Sequence, residues 1–273
     1  TLLLTEDEKE ARGLAGHLTE LNEARKKVEA AILDEAVILA ERQVAEENPR
    51  VLVCHGQGWH EGVIGIVASR LVEKFFRPVV MLASSGGMLK GSARSIPGFH
   101  LHDALAATSR YFENFGGHEA AAGMLMSRHN LKPFIKAINE YAEGIPAEVF
   151  LPRLRLDARV KLTDISDETR EFFERFRPFG EGNLQPLLAA YGLEVVGNPR
   201  VLGRRHLKFT VRKDSKVAPT VAFGASELIL EMEPGRKDAV DLAFRIDADT
   251  YWGKGTLKLI AEEVFIRKKN TDG

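Results

Sequence analysis

Phe115-Gly116-Gly117-His118-Glu119-Ala120-Ala121-Ala122-Gly123-Met124 is the stretch on which the reading of this chain turns. Two consecutive glycines can take positive φ and let a ligand come close to the backbone. His118 then offers a donor beside that exposed backbone, and the small residues from Ala120 to Gly123 leave room for something to lie against it. Consecutive amide N–H groups with an imidazole form a cradle for an oxyanion or a phosphate. The plain alternative is a Gly-Gly turn with a hydrogen-bonded histidine, and the tripeptide alone does not decide between them.

Two further blocks lie upstream: Gly58-Trp59-His60-Glu61-Gly62-Val63-Ile64-Gly65-Ile66-Val67-Ala68-Ser69-Arg70 and Gly91-Ser92-Ala93-Arg94-Ser95. Arg94 sets a guanidinium at a predicted strand end between two hydroxyls, and its planar fork of donors suits a phosphate. A surface ion pair is the other use for it. Trp59 and His60 head a predicted helix whose N-terminal dipole favours anions. Trp59 reads equally well as core.

In this order the three blocks resemble the accessory, substrate-binding domain of the DHH phosphoesterase superfamily. Their flanks resemble the RecJ family of single-stranded-DNA exonucleases, over nearly the whole chain. The resemblance implies that Ser92, Arg94, Gly116, Gly117 and His118 hold a nucleic-acid backbone, with Ser95, Trp59 and His60 as further candidates beside them. It also implies manganese or magnesium on an N-terminal catalytic domain bearing an Asp-His-His motif. That motif is absent here, so no catalytic residue and no metal ligand is assigned, and this chain alone is expected not to hydrolyse DNA.

Thr5-Glu6-Asp7-Glu8 reads as a capping box with Thr5 as N-cap, opening a helix that runs to about Glu47 and stops at Asn48-Pro49. Leu14, Leu21 and Val28 recur every seven residues, as do Leu18, Ile32 and Leu39 with Arg25 in the gap. A continuous helix of this length is a strut between two bodies; a hairpin broken at Gly13 or Gly16 is the alternative. An α/β pattern follows: strands at Val51 to Cys54, Pro78 to Leu82, Met88 to Arg94 and Ala121 to Met126, with helices at Val63 to Phe76, Leu101 to Ser109 and Leu131 to Glu143. After Gly144-Ile145-Pro146 the pattern changes. Leu151 to Lys161 reads as an alternating strand and Asp164 to Phe176 as a short acidic helix. Strands recur at Leu188 to Val196, Leu207 to Arg212, Val217 to Phe223, Asp241 to Asp249 and Thr256 to Ile266. Short strands with Gly-rich turns and one helix predict a small all-β barrel of the OB type. The expected organisation is a connecting helix over 1–48, an α/β accessory domain over 49–147, an OB-like domain over 148–267 and a disordered tail over 268–273.

Composition narrows the chemistry. The chain has 273 residues, 44% hydrophobic and 28% charged, with a formal net charge of −1. From Leu151 onward, 22 Lys and Arg face 19 Asp and Glu, against 16 and 20 before it. Any nucleic-acid site is therefore a local patch and not a global field. One cysteine, Cys54, excludes a disulfide framework and fits a reducing cytoplasm; no apolar run is long enough for a membrane span. The nearest metal candidates, His60-Glu61 and His100-Leu101-His102-Asp103, lack the convergent carboxylates and histidines that two-metal hydrolysis needs. The second of these reads better as a helix cap through Asp103.

The basic run Arg204-Arg205-His206-Leu207-Lys208-Phe209 and the hairpin Tyr251-Trp252-Gly253-Lys254-Gly255 supply cations to track a backbone and rings for bases to stack on. Arg204, Arg205, His206, Lys208, Tyr251, Trp252 and Lys254 are the single-strand candidates. Arg177-Pro178-Phe179-Gly180-Glu181-Gly182-Asn183 resembles a RecJ-family signature, with Leu184 where proline is frequent. It reads as a connector with possible DNA contact. The implied function is the DNA-holding C-terminal part of a 5′→3′ single-stranded-DNA exonuclease of repair and recombination. A phosphodiesterase for short oligonucleotides or cyclic dinucleotides, and a non-catalytic module docking a single-strand-binding protein or helicase, are the alternatives.

Overall fold

The computed structural model describes residues 1–232, 239–249 and 256–267, and the chain divides into two units, residues 1–153 and 154–273.

The first unit opens on one continuous helix, α1 (Glu8–Glu46), without a break at Gly13 or Gly16. Its N-cap is Asp7, not Thr5: the Asp7 carboxylate accepts from the N–H groups of Lys9 and Glu10 at 2.8 and 3.1 Å. A carboxylate at this position satisfies two orphan donors and faces the positive end of the helix dipole, while the Thr5 hydroxyl turns to Glu10. The heptad pattern is buried only in part. Ile32, Ala36 and Ala40 are enclosed, whereas Leu18, Leu21 and Val28 remain exposed.

The sheet has five strands, β1 (Leu52–Gly56), β2 (Val79–Ser85), β3 (Met88–Arg94), β4 (Asn114–Gly117) and β5 (Ala121–Ser127), in the order β1-β2-β3-β5-β4. Only β1 and β2 are parallel, linked by α2 (Ile64–Phe75); the other pairs are antiparallel. The helices α3 (Leu101–Ala107) and α4 (Leu131–Glu143) cover one face through Phe99, Leu101, Leu105, Phe134 and Ile138. On the other face, α1 and α2 pack over β1 and β2 through Ile32, Ala36, Val67 and Leu71. Cys54 is enclosed there, and burial pushes its thiol up to about 12 against an opposing hydrogen bond from Gln43.

In the second unit the expected strand over Leu151 to Lys161 shrinks to β6 (Ala158–Arg159). Pro152 lacks a backbone donor, and Leu151, Leu154 and Leu156 have no apolar surface to alternate against, each staying exposed. The helix α5 (Asp167–Glu174) is shorter than read, because Ser166 caps it by accepting from the Thr169 N–H. The remaining strands are β7 (Leu188–Leu202), β8 (His206–Lys213), β9 (Lys216–Ala222), β10 (Ala239–Asp249) and β11 (Thr256–Arg267). They run β7-β8-β9-β11-β10, and β10 pairs back onto β7. The five strands thus close a barrel, with β9 and β11 parallel and the other pairs antiparallel. This is OB topology. Leu193, Phe209, Val211, Leu242, Phe244 and Leu259 fill it. Residues 268–273, read as a tail, lie outside the described residues.

Candidate nucleic-acid interface

In the first unit, the quoted stretch is not a turn but an edge hairpin. Phe115, Gly116 and Gly117 belong to β4, opposite Met124, Gly123 and Ala122. Gly117 has φ +151°, and a Cβ there would lie 2.4 Å from the Ala121 carbonyl and 2.5 Å from Ala122 Cα. The tip is closed by the His118 N–H donating to the Ala121 carbonyl at 2.8 Å, and His118 itself is exposed. Ser95 fastens this tip. Its N–H donates to the Ala120 carbonyl at 2.9 Å and its hydroxyl to the Phe99 carbonyl at 2.6 Å. The Ser95 hydroxyl therefore already has an acceptor.

Directly opposed residues share a sheet face. The pairings Ser92 with Gly123 and Gly123 with Gly116 thus form one cross-strand row, with Arg94–Ala121 on one side and Lys90–Leu125–Asn114 on the other. This face is uncovered beyond α2 and forms a groove of about 650 Å³ whose lining includes Lys90, Asn114, Gly116, Gly123, Leu125 and Glu61. Its floor at Gly116 and Gly123 is bare backbone. Next to this groove on the same sheet face, the Arg94 guanidinium donates to the Ser92 hydroxyl at 3.3 Å and the Ala93 carbonyl at 2.8 Å. The first turn of α2 abuts them: a Cβ on Gly65 would lie 3.0 Å from Ser92 Oγ and 3.1 Å from Arg94 Nη2. Among the described residues Arg94 makes no ion pair, whereas the leading N–H groups of α2 are largely engaged: those of Val63 and Ile64 donate to the His60 carbonyl and that of Ile66 to the Val63 carbonyl.

Trp59 is not part of this surface. It is 6% exposed, its indole N–H donates to the Glu35 carboxylate at 2.8 Å, and its ring covers Gly56, where a Cβ would fall 2.0 Å from a ring atom. Core packing has taken the ring that the sequence offered to a ligand. His60 is exposed and accepts from the Gly62 N–H at 3.1 Å, shaping the loop before α2. Sequence reasoning missed the Lys90–Glu61 ion pair at 3.0 Å and Asn114. The period-two run Lys90-x-Ser92-x-Arg94 carried the signal for Lys90.

His100, His102 and Asp103 do meet, with Asp103 Oδ1 at 3.3 and 3.6 Å from the two Nδ1 atoms. The cap of α3 is His100, whose Nδ1 accepts from the Asp103 N–H, and not Asp103. Among the described residues no group of three or more His, Cys, Asp or Glu side chains is placed to hold a metal ion.

In the second unit, β8 and β9 present a two-lane outer face. Leu207, Phe209 and Val211 point into the barrel, leaving His206, Lys208, Thr210 and Arg212 outward. On β9, Val217, Pro219 and Val221 alternate outward with buried Ala218, Thr220 and Ala222. Arg200 pairs with Lys208, and Lys208 with Val221. The tight β7–β8 turn at Gly203 and Arg204, with φ of 56° and 70°, projects Arg204 and Arg205 at one end. Among the described residues, Arg200, Arg204, Arg205 and Lys208 make no ion pair, while Arg212 is held by Glu194 at 2.8 Å. His206 accepts from the Gly224 N–H at 3.1 Å and meets the Phe223 ring edge-on at 5.1 Å. Phe223, 62% exposed, was missed because it was read as the closing residue of a strand that ends at Ala222. Tyr251, Trp252 and Lys254 lie outside the described residues. The Arg177–Asn183 segment folds on itself, the Asn183 amide donating to the carbonyls of Phe176 and Pro178 at 2.8 and 2.9 Å.

The chain matches the DHHA1 domain over residues 48–144 and the RecJ OB domain over residues 156–263. It is 34% identical over 244 residues to the single-stranded-DNA-specific exonuclease RecJ of Bacillus subtilis, covering 88% of this chain and 31% of that protein. To the RecJ of Salmonella typhimurium it is 32% identical over 274 residues, covering 97% and 47%. The chain therefore spans less than half the length of these relatives. Among solved structures, RecJ of Thermus thermophilus in complex with Mg2+ superimposes with a TM-score of 0.79 at 28% identity, covering 99% of this chain and 40% of that one. The Mn2+ complex of the same protein gives 0.77. The donor sets described above do not amount to a site for either ion.

Proposed function

Because the chain carries the DHHA1 and OB domains of the RecJ family, as its C-terminal part, we propose that it is the DNA-holding portion of a 5′→3′ single-stranded-DNA exonuclease acting in repair and recombination. The observation that carries this reading is the β8–β9 face: four cations without ion pairs beside an apolar lane ending in an exposed phenylalanine. Cations track the sugar–phosphate chain while apolar side chains and the ring take the bases, which is what a single strand offers and a duplex hides. In the first unit, Ser92 and Arg94 hold a phosphate, with the Gly116–Gly123 floor admitting the strand. Hydrolysis, and the Mg2+ or Mn2+ it uses, belong to a part of the whole protein outside these residues.

Fluorescence anisotropy with labelled oligothymidylate tests the reading. Affinity should fall as salt rises, with a log–log slope of about −0.7 for each phosphate neutralised. Lys208→Glu should weaken binding and flatten that slope. Equal affinity for duplex and single strand would sink the proposal, and so would nucleotide release by this chain alone in manganese.

A further inference from the structure

We propose a second anion site on the barrel, for the phosphodiester backbone of a single strand that runs on past the β8–β9 face. The inference rests on the nucleic-acid reading above and assigns a place which that reading leaves unused. A cleft of about 500 Å³ lies at the far end of β8, lined by Arg159, Lys161, Leu162, Asp164, Tyr191 and Lys213 among others. The eight residues of β8 span about 26 Å at 3.3 Å per residue. One end carries the Arg204–Arg205 turn, and the other delivers Lys213 to the cleft.

Residues adjoining the lining are hydrogen-bonded to one another. Asp241, 8% exposed, accepts from the Gly192 N–H at 2.8 Å and from Arg267 at 2.5 Å. Lys213 donates to the Gly192 carbonyl at 2.7 Å. Tyr191, fixed by this network, receives the Arg267 guanidinium 6.0 Å and the Arg159 guanidinium 4.9 Å from its ring centre. Arg267 is committed to Asp241. Arg159, in contrast, makes no ion pair among the described residues, and neither does Lys161. A guanidinium resting on a ring has lost much of its rotamer freedom already and keeps its planar fork of N–H donors for an oxyanion.

Charge selects the ligand. The lining holds Arg159, Lys161 and Lys213 against Asp164 and Asp214, a net of one positive charge. That balance matches a single passing phosphodiester. A peptide segment with several adjacent carboxylates would bring more negative charge than a net of one positive charge offsets. The Arg212–Glu194 pair interrupts the cationic lane between the β8–β9 face and the cleft, so only a strand long enough to pass it reaches both.

The experiment compares oligothymidylates of about 6 and about 20 nucleotides, chosen to lie within and beyond the footprint of one OB fold, by anisotropy on the whole chain. Arg159→Glu should weaken the long oligonucleotide about tenfold, the worth of one charge-assisted hydrogen bond, and leave the short one unchanged. The salt slope for the long one should drop by about 0.7. Tyr191→Phe should bind as the parent does, whereas Tyr191→Leu should lose part of the length-dependent gain, marking Tyr191 as a positioning residue. Circular-dichroism melts confirm that each variant is folded, and Arg159→Gln serves if the glutamate variant is not. Unchanged long-oligonucleotide affinity in Arg159→Glu or Arg159→Gln overturns the site, as does an equal loss for both lengths. Capture of an oligo-aspartate peptide by the parent and not by Arg159→Glu, with DNA binding intact, overturns it in favour of a peptide. Lys208→Glu separates the two claims: if it leaves both lengths unaffected, the interface on β8–β9 is the part that fails.

Discussion

Replacing Gly116 and Gly123 together by alanine separates what the sheet needs from what a ligand needs. Neither residue has positive φ. A Cβ at Gly116 meets nothing within 4 Å, and one at Gly123 meets only the Gly91 carbonyl at 3.8 Å. Folding therefore tolerates both methyl groups. Each Gly→Ala change at a compatible position adds about 0.4–1 kcal/mol by restricting the unfolded chain, so the pair should stabilise by about 1–2 kcal/mol. For a unit of 153 residues this raises Tm by about 2–8 °C. The same methyls stand on the floor of the groove beside Ser92 and should push away a strand lying on it, at an overpacking cost of about 1–3 kcal/mol, or about 5- to 150-fold in affinity. Calorimetry reads the first effect. Anisotropy with 5′-phosphorylated oligothymidylate, compared with the parent in a Lys208→Glu background that weakens the barrel's share, reads the second. A double variant that is more stable and binds undiminished would show that the glycine floor contacts no ligand; a less stable one would show that the open space at these two positions has been misjudged.

Three further outcomes follow from single residues. Gly117→Ala should destabilise the first unit by about 1–3 kcal/mol, because φ +151° strains any side chain and the Cβ meets backbone on the opposite strand; a denaturant melt checks it. Trp59→Ala should cost about 3–5 kcal/mol, since the ring fills the space over Gly56 and its N–H partners Glu35, with no direct loss of DNA contacts in the barrel by anisotropy. The third concerns pH. His55 lies below its ordinary value of 6.5, first through burial and then through the Arg128 charge. The unfolded chain therefore takes up the proton first, so stability should hold above pH 6.5 and decline as pH falls below it, levelling once the folded imidazole is also protonated. Melts of His55→Gln across this range should show a shallower decline than the parent.

The barrel was legible because its strands alternate buried and exposed residues, as in Leu207-x-Phe209-x-Val211, between turns marked by Gly203 and by Asp214-Ser215. The Leu151–Lys161 alternation misled for the same reason: period two states which residues share a face, not whether that face is covered. β4 was illegible. Asn-Phe-Gly-Gly has little strand propensity of its own and is a strand only because β5 pairs with it. The groove was half visible. Ser92 and Arg94 stood out by residue type, whereas Lys90 and Asn114 entered only when the pairings aligned three strands. Gly65 stands in the Gly58–Arg70 block, but that its lack of a side chain makes room for Ser92 and Arg94 needed the helix in place. Trp59 could not be assigned from sequence, since a ring at a helix start serves core and ligand equally until Gly56 is seen beneath it.

The long first helix is anchored through Ile32, Ala36 and Ala40, near its C-terminal end. Glu29, whose carboxylate meets Arg70 of α2 at 3.8 Å, marks the edge of that anchor. From Glu8 to Glu29 the helix extends for about 32 Å at 1.5 Å per residue, with Leu18, Leu21 and Val28 exposed along it. Such a rod is a lever arm. A tilt of about 5° at the anchor swings its far end through about 3 Å over that length, so small repacking around Ala36 is geared up into a displacement as large as a hydrogen bond is long.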